Sequence, residues 1–377
     1  MCAPEVRDNT DRDTWVFNAS YRTVTLFSVL DQAPTRAGSS QAQAVRDVER
    51  LARHVEPLGY HRFWIAEHHA LGSVASTAPE VLIGHVASRT QKIRVGSGGI
   101  LLPNHRPLHV AELFRVLAAL HPGRIDLGVG RSEGATDEAV QQALDRPHNS
   151  THEAGYEHML EELLAFADVR QLPAEHALAS VRAGPGGEPF PPVFVLGSST
   201  ASAHTAAAYG LGYGFAAYTR PDAVVTALRS YRARFVPALS GARPHAILGL
   251  RVIVGEDEEH ARGLAASSHL AMAQARAGSR QPLLPIEQAL AHTWTEAERA
   301  GAAKLDQRAD VTGDPARVAA RIAELVEQTA VDEVIVTTNA YAPEERFDSY
   351  TRLAEAVGIG RAHASVADTD RHDNERS

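Results

Sequence analysis

Cysteine is almost missing from this chain of 377 residues, and Cys2 is its only representative. A single thiol cannot form a disulfide within the chain, which favours a reducing compartment. Long apolar runs are missing as well. None reaches the roughly 18 residues that a membrane helix needs, and the first ten residues contain no apolar signal segment. We therefore predict a cytoplasmic protein that does not use a membrane as a partner.

An excess of positive charge is also missing. Lysine and arginine number 37 against 46 aspartates and glutamates, which gives a net charge of −9. Nucleic-acid binding needs dense positive charge facing the phosphates, and no basic stripe stands out, so we do not expect a nucleic-acid partner. The apolar share of 44% is ordinary for a globular protein and supplies a sizeable core.

What the sequence does contain is a regular alternation of short apolar strands and helical segments. Eight runs have the composition of buried strands, and they lie at 23–30, 63–68, 93–101, 124–129, 192–196, 212–217, 246–254 and 331–337. Strands that alternate with helices pair in parallel through right-handed crossovers. Eight such units predict an α/β fold, a closed (β/α)8 or TIM barrel. The extra length predicts insertions after strands 4 and 7.

The sequence contains no recognisable interdomain linker within this alternation of strands and helices. We predict one domain over residues 21–360, with flexible polar tails at 1–20 and 361–377. The stretch 256–328 is expected to be helical apart from a Gly/Pro-containing break near 278–285.

The second strand runs into Glu67-His68-His69, at the strand end where parallel barrels place their chemistry. Neighbouring strand residues point to opposite faces, so His68 and His69 are poorly placed to share a metal, and we predict no metal site. His68 is the candidate catalytic residue, because one imidazole at a barrel mouth suits proton transfer or stabilisation of an anion. A structural histidine at the strand end explains the pattern equally well.

The third strand carries Gly98 and Gly99 inside an apolar run. Glycine weakens a strand interior unless a ligand or another backbone must come close. A flat ring stacked on this backbone would explain the pair. A β-bulge or a tight bend would explain it too, and both alternatives stay open.

The fourth strand leads into the stretch Gly128–Gly134, which contains GxSxG around Ser132 and a GxGxxxG pattern. The first pattern occurs at the nucleophile of α/β-hydrolases, and the second resembles a dinucleotide-binding turn. A dinucleotide domain would need an acidic residue at the end of the next strand, which instead ends in Leu196-Gly197. Alternatively, Arg131 is the functional residue, a fixed cation that reaches toward a phosphate.

The turn after the fifth strand, from Gly197 to Ser202, consists of small residues and opens a helix. Backbone N–H groups at a helix start, together with the hydroxyls of Ser198, Ser199 and Ser202, form an anion site. Simple N-capping by the serines is the alternative. Together with Arg131, this turn predicts a phosphate site for a phosphorylated cofactor.

Taken together and in this order, these stretches resemble the bacterial luciferase-like flavin monooxygenases. The matching pieces lie at 58–69, 93–107, 123–131 and 196–203, and the similarity extends over about residues 23–357. Within that family the chain is similar to oxygenases of actinobacterial natural-product and antibiotic biosynthesis, including those that epoxidise aromatic polyketides of the mensacarcin type.

The resemblance implies FMN as the cofactor and assigns a role to each candidate residue. His68 would stand beside the reactive C4a atom of the flavin. Gly98-Gly99 would form a cis peptide under the isoalloxazine ring. Ser198 would lie near the pyrimidine edge, and the phosphate would be bound by Arg131, Ser199 and Ser202. A mobile lid would fall near residues 275–305.

The same resemblance implies a reaction in which reduced FMN and O2 form a C4a-peroxyflavin that oxygenates a small organic substrate. Epoxidation or hydroxylation of a polyketide-like natural product is the expected outcome, with Baeyer–Villiger oxidation next. The light-emitting enzymes carry a cysteine where this chain has Gly130, so we do not expect bioluminescence, and the resemblance does not imply an aldehyde substrate.

Partners follow from the same reasoning. A single barrel leaves no segment for a nicotinamide-binding domain, so we expect a separate NAD(P)H:flavin reductase. A homodimer through the second and third helices would follow the luciferases. Three alternatives stay open: an F420-dependent oxidoreductase of the same fold, a non-catalytic flavin-binding protein, and a serine hydrolase that uses Ser132.

Overall fold

The computed structural model describes residues 25–132, 138–144, 151–238, 242–305 and 310–359, with the backbone alone at 151–154. The tails predicted at 1–20 and 361–377 lie outside the described residues. The single domain predicted for 21–360 stays a prediction. Within the described ranges, none of the helices combines the length and the apolar character that crossing a bilayer requires.

Ten strands lie in the described part of the chain, and all their pairings are parallel. They are β1 Leu26–Asp31, β2 Arg62–Ile65, β3 Arg94–Ser97, β4 Ile100–Leu101, β5 Ile125–Gly130, β6 Val193–Gly197, β7 Gly212–Ala216, β8 Ala246–Val254, β9 Asp310–Gly313 and β10 Glu333–Thr337. Eight of them close a ring in the order β1-β2-β3-β5-β6-β7-β8-β10, because β10 pairs with both β8 and β1. The predicted (β/α)8 barrel is confirmed.

Helices surround this ring. In chain order they are α1 Gln41–Val55, α2 Pro79–Arg89, α3 Pro107–Leu120, α4 Glu138–Leu144, α5 Thr151–Phe166, α6 Thr200–Ala208, α7 Val224–Arg234, α8 Glu258–Arg276, α9 Ile286–Leu290, α10 Glu296–Ala303, α11 Pro315–Thr329 and α12 Pro343–Val357. The helices α2, α3, α11 and α12 begin with proline, whose missing N–H costs nothing in the first turn.

Both predicted insertions are confirmed. The first follows β5, the fourth strand of the ring, and contains α4, α5 and the irregular residues up to 192. The second follows β8, the seventh strand of the ring, and contains α8, α9 and α10.

One expectation about the second insertion is wrong, because the stretch predicted to be helical contains the strand β9. This strand pairs with Arg251–Val254, the last four residues of β8, whereas β10 pairs with β8 only up to Arg251. The long strand therefore leaves an open edge that β9 fills. Four residues are too few for a periodic pattern to reveal such a strand in the sequence.

Charged residues close the amino-terminal end of the barrel. Arg62 Nη1 lies 2.7 Å from Asp126 Oδ2, and Arg62 Nε lies 3.0 Å from Glu333 Oε2. Arg94 Nη2 contacts Asp126 Oδ1 at 2.6 Å. Burial alone would raise the pKa of Glu333, but the hydrogen bond from His245 and the charge of Arg62 lower it to about 2. This ion-pair network occupies the amino-terminal end of the barrel. The opposite end, at the carboxyl ends of the strands, is the mouth of the barrel and is the end open to ligands.

Candidate functional site

Two adjoining cavities lie over the carboxyl ends of the strands. One has a volume of about 230 Å³ and is lined by His68, Thr337 and Asn339, among others. The other measures about 650 Å³, and both are lined by Arg251 and Arg280. Their position at the mouth is where barrel enzymes bind their ligands.

His68 stands at the wall of the smaller cavity, as predicted for the end of β2. Its backbone N–H donates to the carbonyl of Ser76 at 2.9 Å. Its Nδ1 atom is buried and has no hydrogen-bond partner among the described residues. Burial lowers the pKa of His68 to about 4, and the charge of Arg280 acts in the same direction. The ring is therefore neutral at physiological pH.

Two further buried polar atoms in the same cavity wall lack a partner among the described residues, Thr337 Oγ1 and Asn339 Oδ1. A buried polar group without a partner costs about 1–3 kcal/mol, so such atoms are rare in isolation. Nδ1 of His68 is buried in the same way, and all three residues line this cavity, His68 from beyond β2 and the other two from the end of β10. This arrangement fits a ligand that carries hydrogen-bonding groups.

Glu67 organises the rim next to His68. Its buried carboxylate accepts hydrogen bonds from the backbone N–H of Leu101 at 2.8 Å, from His105 Nε2 at 2.8 Å and from His69 Nε2 at 2.7 Å. Burial would raise the pKa of Glu67, but the two histidines lower it to about 2. His69 thus anchors Glu67 and lines the larger cavity, whereas His68 lines the smaller one. Both histidines lie beyond the end of β2.

His105 is a residue that the sequence reasoning missed. It lies in the loop between β4 and α3, and only the fold brings it 2.8 Å from Glu67. The available signal was its place between Pro103 and Pro107, in a run that already carried Gly98 and Gly99.

The peptide bond between Gly98 and Gly99 is cis, as the resemblance implies. The glycines also have a packing reason. A Cβ atom on Gly99 would lie 2.7 Å from the carbonyl oxygen of Gly128 and 2.8 Å from Leu196 Cδ1. A Cβ atom on Gly98 would collide with the side chain of Leu30. Close packing against the backbone of Gly128 therefore requires glycine at position 99, whereas at position 98 the side chain of Leu30 would have to move. The contact of both glycines with a flavin ring stays a prediction.

Arg131 and the serine turn lie at neighbouring strand ends. The register pairs Gly130 of β5 with Leu196 of β6, so Arg131 follows directly beside Gly197. The side chain of Arg131 is exposed, and the half-buried Ser198 lies in the same turn. The predicted cation and the predicted helix start thus occupy one side of the mouth.

Ser199 and Ser202 cap helix α6 reciprocally. Ser199 Oγ accepts a hydrogen bond from the backbone N–H of Ser202 at 3.2 Å, and Ser202 Oγ accepts one from the backbone N–H of Ser199 at 3.4 Å. The capping alternative is therefore confirmed. An anion site at the same helix start stays a prediction, which rests on the helix dipole and the other first-turn N–H groups.

Tyr156 is a second residue that the sequence reasoning missed. Its hydroxyl is buried without a partner among the described residues. Burial raises the pKa of Tyr156, and the charge of Arg131 opposes this effect. No sequence signal pointed to Tyr156, because α5 belongs to the insertion and only tertiary packing brings it to the mouth.

Part of the stretch 275–305, where the lid was predicted, lines the two cavities. Arg280, Gln281 and Leu283 line the smaller cavity. Leu283 is tied to the loop after β1: its N–H donates to the Thr35 carbonyl at 2.9 Å, and its carbonyl accepts from Ala37 at 2.8 Å. The mobility of this stretch stays a prediction.

On α5 and the loop after it, His158, Glu162 and His176 bring potential metal-ligand atoms within 4.8 Å of one another. These atoms also serve the protein itself. His158 Nε2 lies 3.2 Å from Glu162 Oε1, and His176 Nδ1 accepts from the N–H of Leu178 at 3.2 Å. The group therefore carries no assignment, and the absence of a metal site stays a prediction.

Comparisons with known proteins agree with this geometry. The profile of the luciferase-like monooxygenase family matches residues 25–333. A luciferase-like monooxygenase of Escherichia coli strain K12 is 37% identical over 324 residues, which cover 86% of this chain and 94% of that protein. The N-acetyl-S-alkylcysteine monooxygenase of Bacillus subtilis strain 168 is 32% identical over 336 residues, covering 88% and 97%.

Solved structures show the same similarity. Apo-MsnO8 superposes with a TM-score of 0.79 at 34% identity, covering 89% of this chain and 99% of that one. The oxygenating constituent of 3,6-diketocamphane monooxygenase from Pseudomonas putida, in complex with FMN, gives 0.64 at 19% identity, covering 89% and 98%. An F420-dependent secondary alcohol dehydrogenase gives 0.59 at 13%, covering 88% and 99%. At these identities, the last two structures show only that the fold is the same. The first of them is a complex with FMN and the second is F420-dependent, so this fold is compatible with either cofactor.

Proposed function

The chain belongs to the luciferase-like monooxygenase family, and from that premise we propose that it is the oxygenating component of a two-component, FMN-dependent monooxygenase. A separate NAD(P)H:flavin reductase supplies reduced FMN, and one atom of O2 enters a small organic substrate. The observation that carries the proposal is the unpartnered, buried Nδ1 of the neutral His68 in the wall of the mouth cavity. Cytoplasmic location is part of the same proposal.

The residues of the mouth fit FMN. Arg131, Ser199 and Ser202 would hold the phosphate at the start of α6, and the hydroxyl of Tyr156, unpartnered among the described residues, is available as well. Ser198 would contact the pyrimidine edge, and the flat ring would lie against Gly98-Gly99. Bound reduced flavin supplies the electrons that activate O2.

His68 would hold or move a proton at Nδ1. Because its pKa is about 4, the ring is neutral and offers one donor and one acceptor. A positioned imidazole of this kind assists a proton transfer without first having to lose a proton. Glu67, held by His69 and His105, would keep the end of β2 in place beneath it.

The resemblance supports epoxidation or hydroxylation of a polyketide-like natural product in a pathway of antibiotic or other secondary metabolism. A second candidate is monooxygenation of an N-acetyl-S-alkylcysteine. It is favoured by the relative of that name, which aligns with this chain over 97% of its own length.

Supplying the electrons from reduced FMN or from reduced F420 separates the proposed function from the alternatives. Photoreduced FMN, delivered without a reductase, is expected to support product formation from N-acetyl-S-benzylcysteine or a candidate pathway intermediate in air. Reduced F420 is expected not to. Oxidation of F420 without O2 would favour the F420-dependent oxidoreductase, and tight FMN binding without product would favour a non-catalytic flavin protein. The family assignment gives no support to Ser132 as a hydrolase nucleophile.

Substitution of Arg131 with alanine is expected to weaken the binding of reduced FMN about tenfold or more. A hydrogen bond to a charged group contributes about 1.5–3 kcal/mol, and the phosphate would lose one. Riboflavin has no phosphate, so its affinity should not change. Anaerobic equilibrium dialysis with both flavins measures the difference, and Arg182→Ala, an exposed arginine, is the matched control. Equal losses of affinity for FMN and riboflavin would show that Arg131 does not bind the phosphate.

We also propose a homodimer through α2 and α3. Of the apolar residues on these helices, Leu82, Val86, Phe114 and Leu117 belong to the core, whereas Val81, Val116 and Leu120 are 66%, 45% and 66% exposed. Leu120→Glu is expected to convert dimers to monomers in sedimentation velocity. Leu290→Glu, at an equally exposed leucine on α9, should have no effect. A wild-type monomer at micromolar concentration would refute the dimer.

A further inference from the structure

We infer that the substrate of this site is an organic anion, and that Arg280 binds its carboxylate at the rim of the barrel mouth. The inference rests on the proposed function, because it assigns the mouth cavities to a substrate. It goes further by stating the charge of that substrate and the residue that selects it.

The charge of the cavity walls is opposite to that of the protein. The chain carries a net charge of −9, yet among the described residues that line the two cavities there are three arginines and no aspartate or glutamate. The arginines are Arg251, Arg276 and Arg280. A concave site of one charge sign raises the local concentration of ligands of the opposite sign.

Two of the three arginines have a structural reason for their position. Arg251 is paired with Asp310, with Nη2 3.2 Å from Oδ2, and its guanidinium lies 5.5 Å from the ring centre of Tyr218. Arg276 lies in the last turn of α8, where a cation is stabilised by the helix dipole. Neither needs a ligand to explain it.

Arg280 is an exposed residue at the cavity wall that has neither of these explanations. It follows α8, lines both cavities, and forms no ion pair with any residue that the structure describes. Arg280 and His68 line the same smaller cavity, and the charge of Arg280 lowers the pKa of His68. An anion bound there would hold the rest of its molecule beside His68.

The cofactor phosphate does not account for Arg280. Arg131 and the start of α6 follow β5 and β6, whereas the segment of Arg280 is hydrogen-bonded to the loop after β1 through Leu283 and Thr35. In the eight-stranded ring β1 lies opposite β6, four strands away in either direction. The two cationic sites therefore belong to two different ligands.

The apolar residues in the rest of the cavity wall indicate the chemistry of the other end of the substrate. Leu71, Val74, Ile253, Met272 and Leu283 give the smaller cavity an apolar surface. A guanidinium binds a carboxylate through two parallel N–H···O bonds, which fixes the direction of the molecule. The site thus fits an apolar carboxylate whose reactive atom lies several bonds from its charge.

Binding without turnover tests the inference. N-acetyl-S-benzylcysteine, decanoate and 2-naphthoate are each compared with their primary amides by calorimetry on the full chain, with FMN present. At least one carboxylate is expected to bind tenfold or more tightly than its amide. Arg280→Ala should abolish that preference, Arg280→Lys should retain part of it, and Arg276→Ala should change it less than threefold. None of these variants should change FMN affinity.

Two results would overturn the inference: no carboxylate binds more tightly than its amide in the wild type, or the preference survives Arg280→Ala. The test measures binding and not oxygenation. A failure of this inference can therefore be told apart from a failure of the proposed function. Oxygenation by reduced FMN without a carboxylate preference would refute this inference alone. A carboxylate preference that depends on Arg280, without oxygenation under any supply of reduced FMN, would refute the monooxygenase alone.

Discussion

Replacement of His68 with alanine is expected to lower the rate of oxygenation by about 10²–10⁴-fold, the contribution typical of a positioned acid–base group. The residue is half-buried and lines a cavity, and its Nδ1 atom has no hydrogen-bond partner among the described residues. Its removal takes away the group that would hold or move a proton, and no described hydrogen bond of that ring is lost elsewhere. The fold and the affinity for FMN should therefore be unchanged.

The measurement is product formed per reduced FMN consumed, with hydrogen peroxide determined in parallel. The variant should still consume reduced flavin and should release peroxide in place of product. His204→Ala, which removes an exposed histidine bonded to Ser230 on the outer helices, is the matched control and should keep wild-type coupling. Unchanged product yield in His68→Ala would exclude His68 from the reaction.

Replacement of Asp126 with alanine is expected to destabilise the folded chain by about 3–5 kcal/mol, the cost of removing one partner from a buried ion pair. The carboxylate of Asp126 is fully buried and accepts from Arg62, Arg94 and Trp64 Nε1. Its loss leaves the nearly buried guanidinium of Arg62 with only Glu333 as a counter-charge. The network lies at the end of the barrel away from the cavities, so this effect is on stability.

Equilibrium unfolding in urea measures this change. Arg317→Ala is the control, because the exposed pair of Arg317 and Glu258 should contribute less than about 1 kcal/mol. Asp126→Asn keeps an acceptor and should lose less than the alanine variant, which provides a measurement even if the alanine variant does not fold. Equal, small losses in Asp126→Ala and Arg317→Ala would show that the network does not stabilise the barrel.

The fold was predictable because its signal is local and repeated. Each barrel strand carries its own apolar composition, and the nine residues Ala246–Val254 were predicted with both ends correct. The strand Asp310–Gly313 was missed because it exists only as a partner for the open edge of β8. The strand between residues 93 and 101 was predicted as continuous, but Gly98-Gly99 interrupt it.

The candidate site was predictable where a residue follows a strand end directly. His68, Arg131 and Ser199 were identified in this way, and the parallel barrel brings those strand ends to one mouth. His105, Tyr156 and Arg280 were missed because each belongs to a loop or an insertion. Their distances from the mouth depend on tertiary packing, which composition and spacing do not encode. The cis peptide at Gly98-Gly99 was anticipated only through the family resemblance.

Isotope labelling tests the central claim most directly. Reduced FMN from a separate reductase, 18O2 and a substrate are combined with the chain, and the mass of the product is measured. The monooxygenase account predicts that the product gains one 18O atom, and that this gain disappears when FMN is omitted. A product without 18O, or one formed equally well under argon with reduced F420, would contradict it.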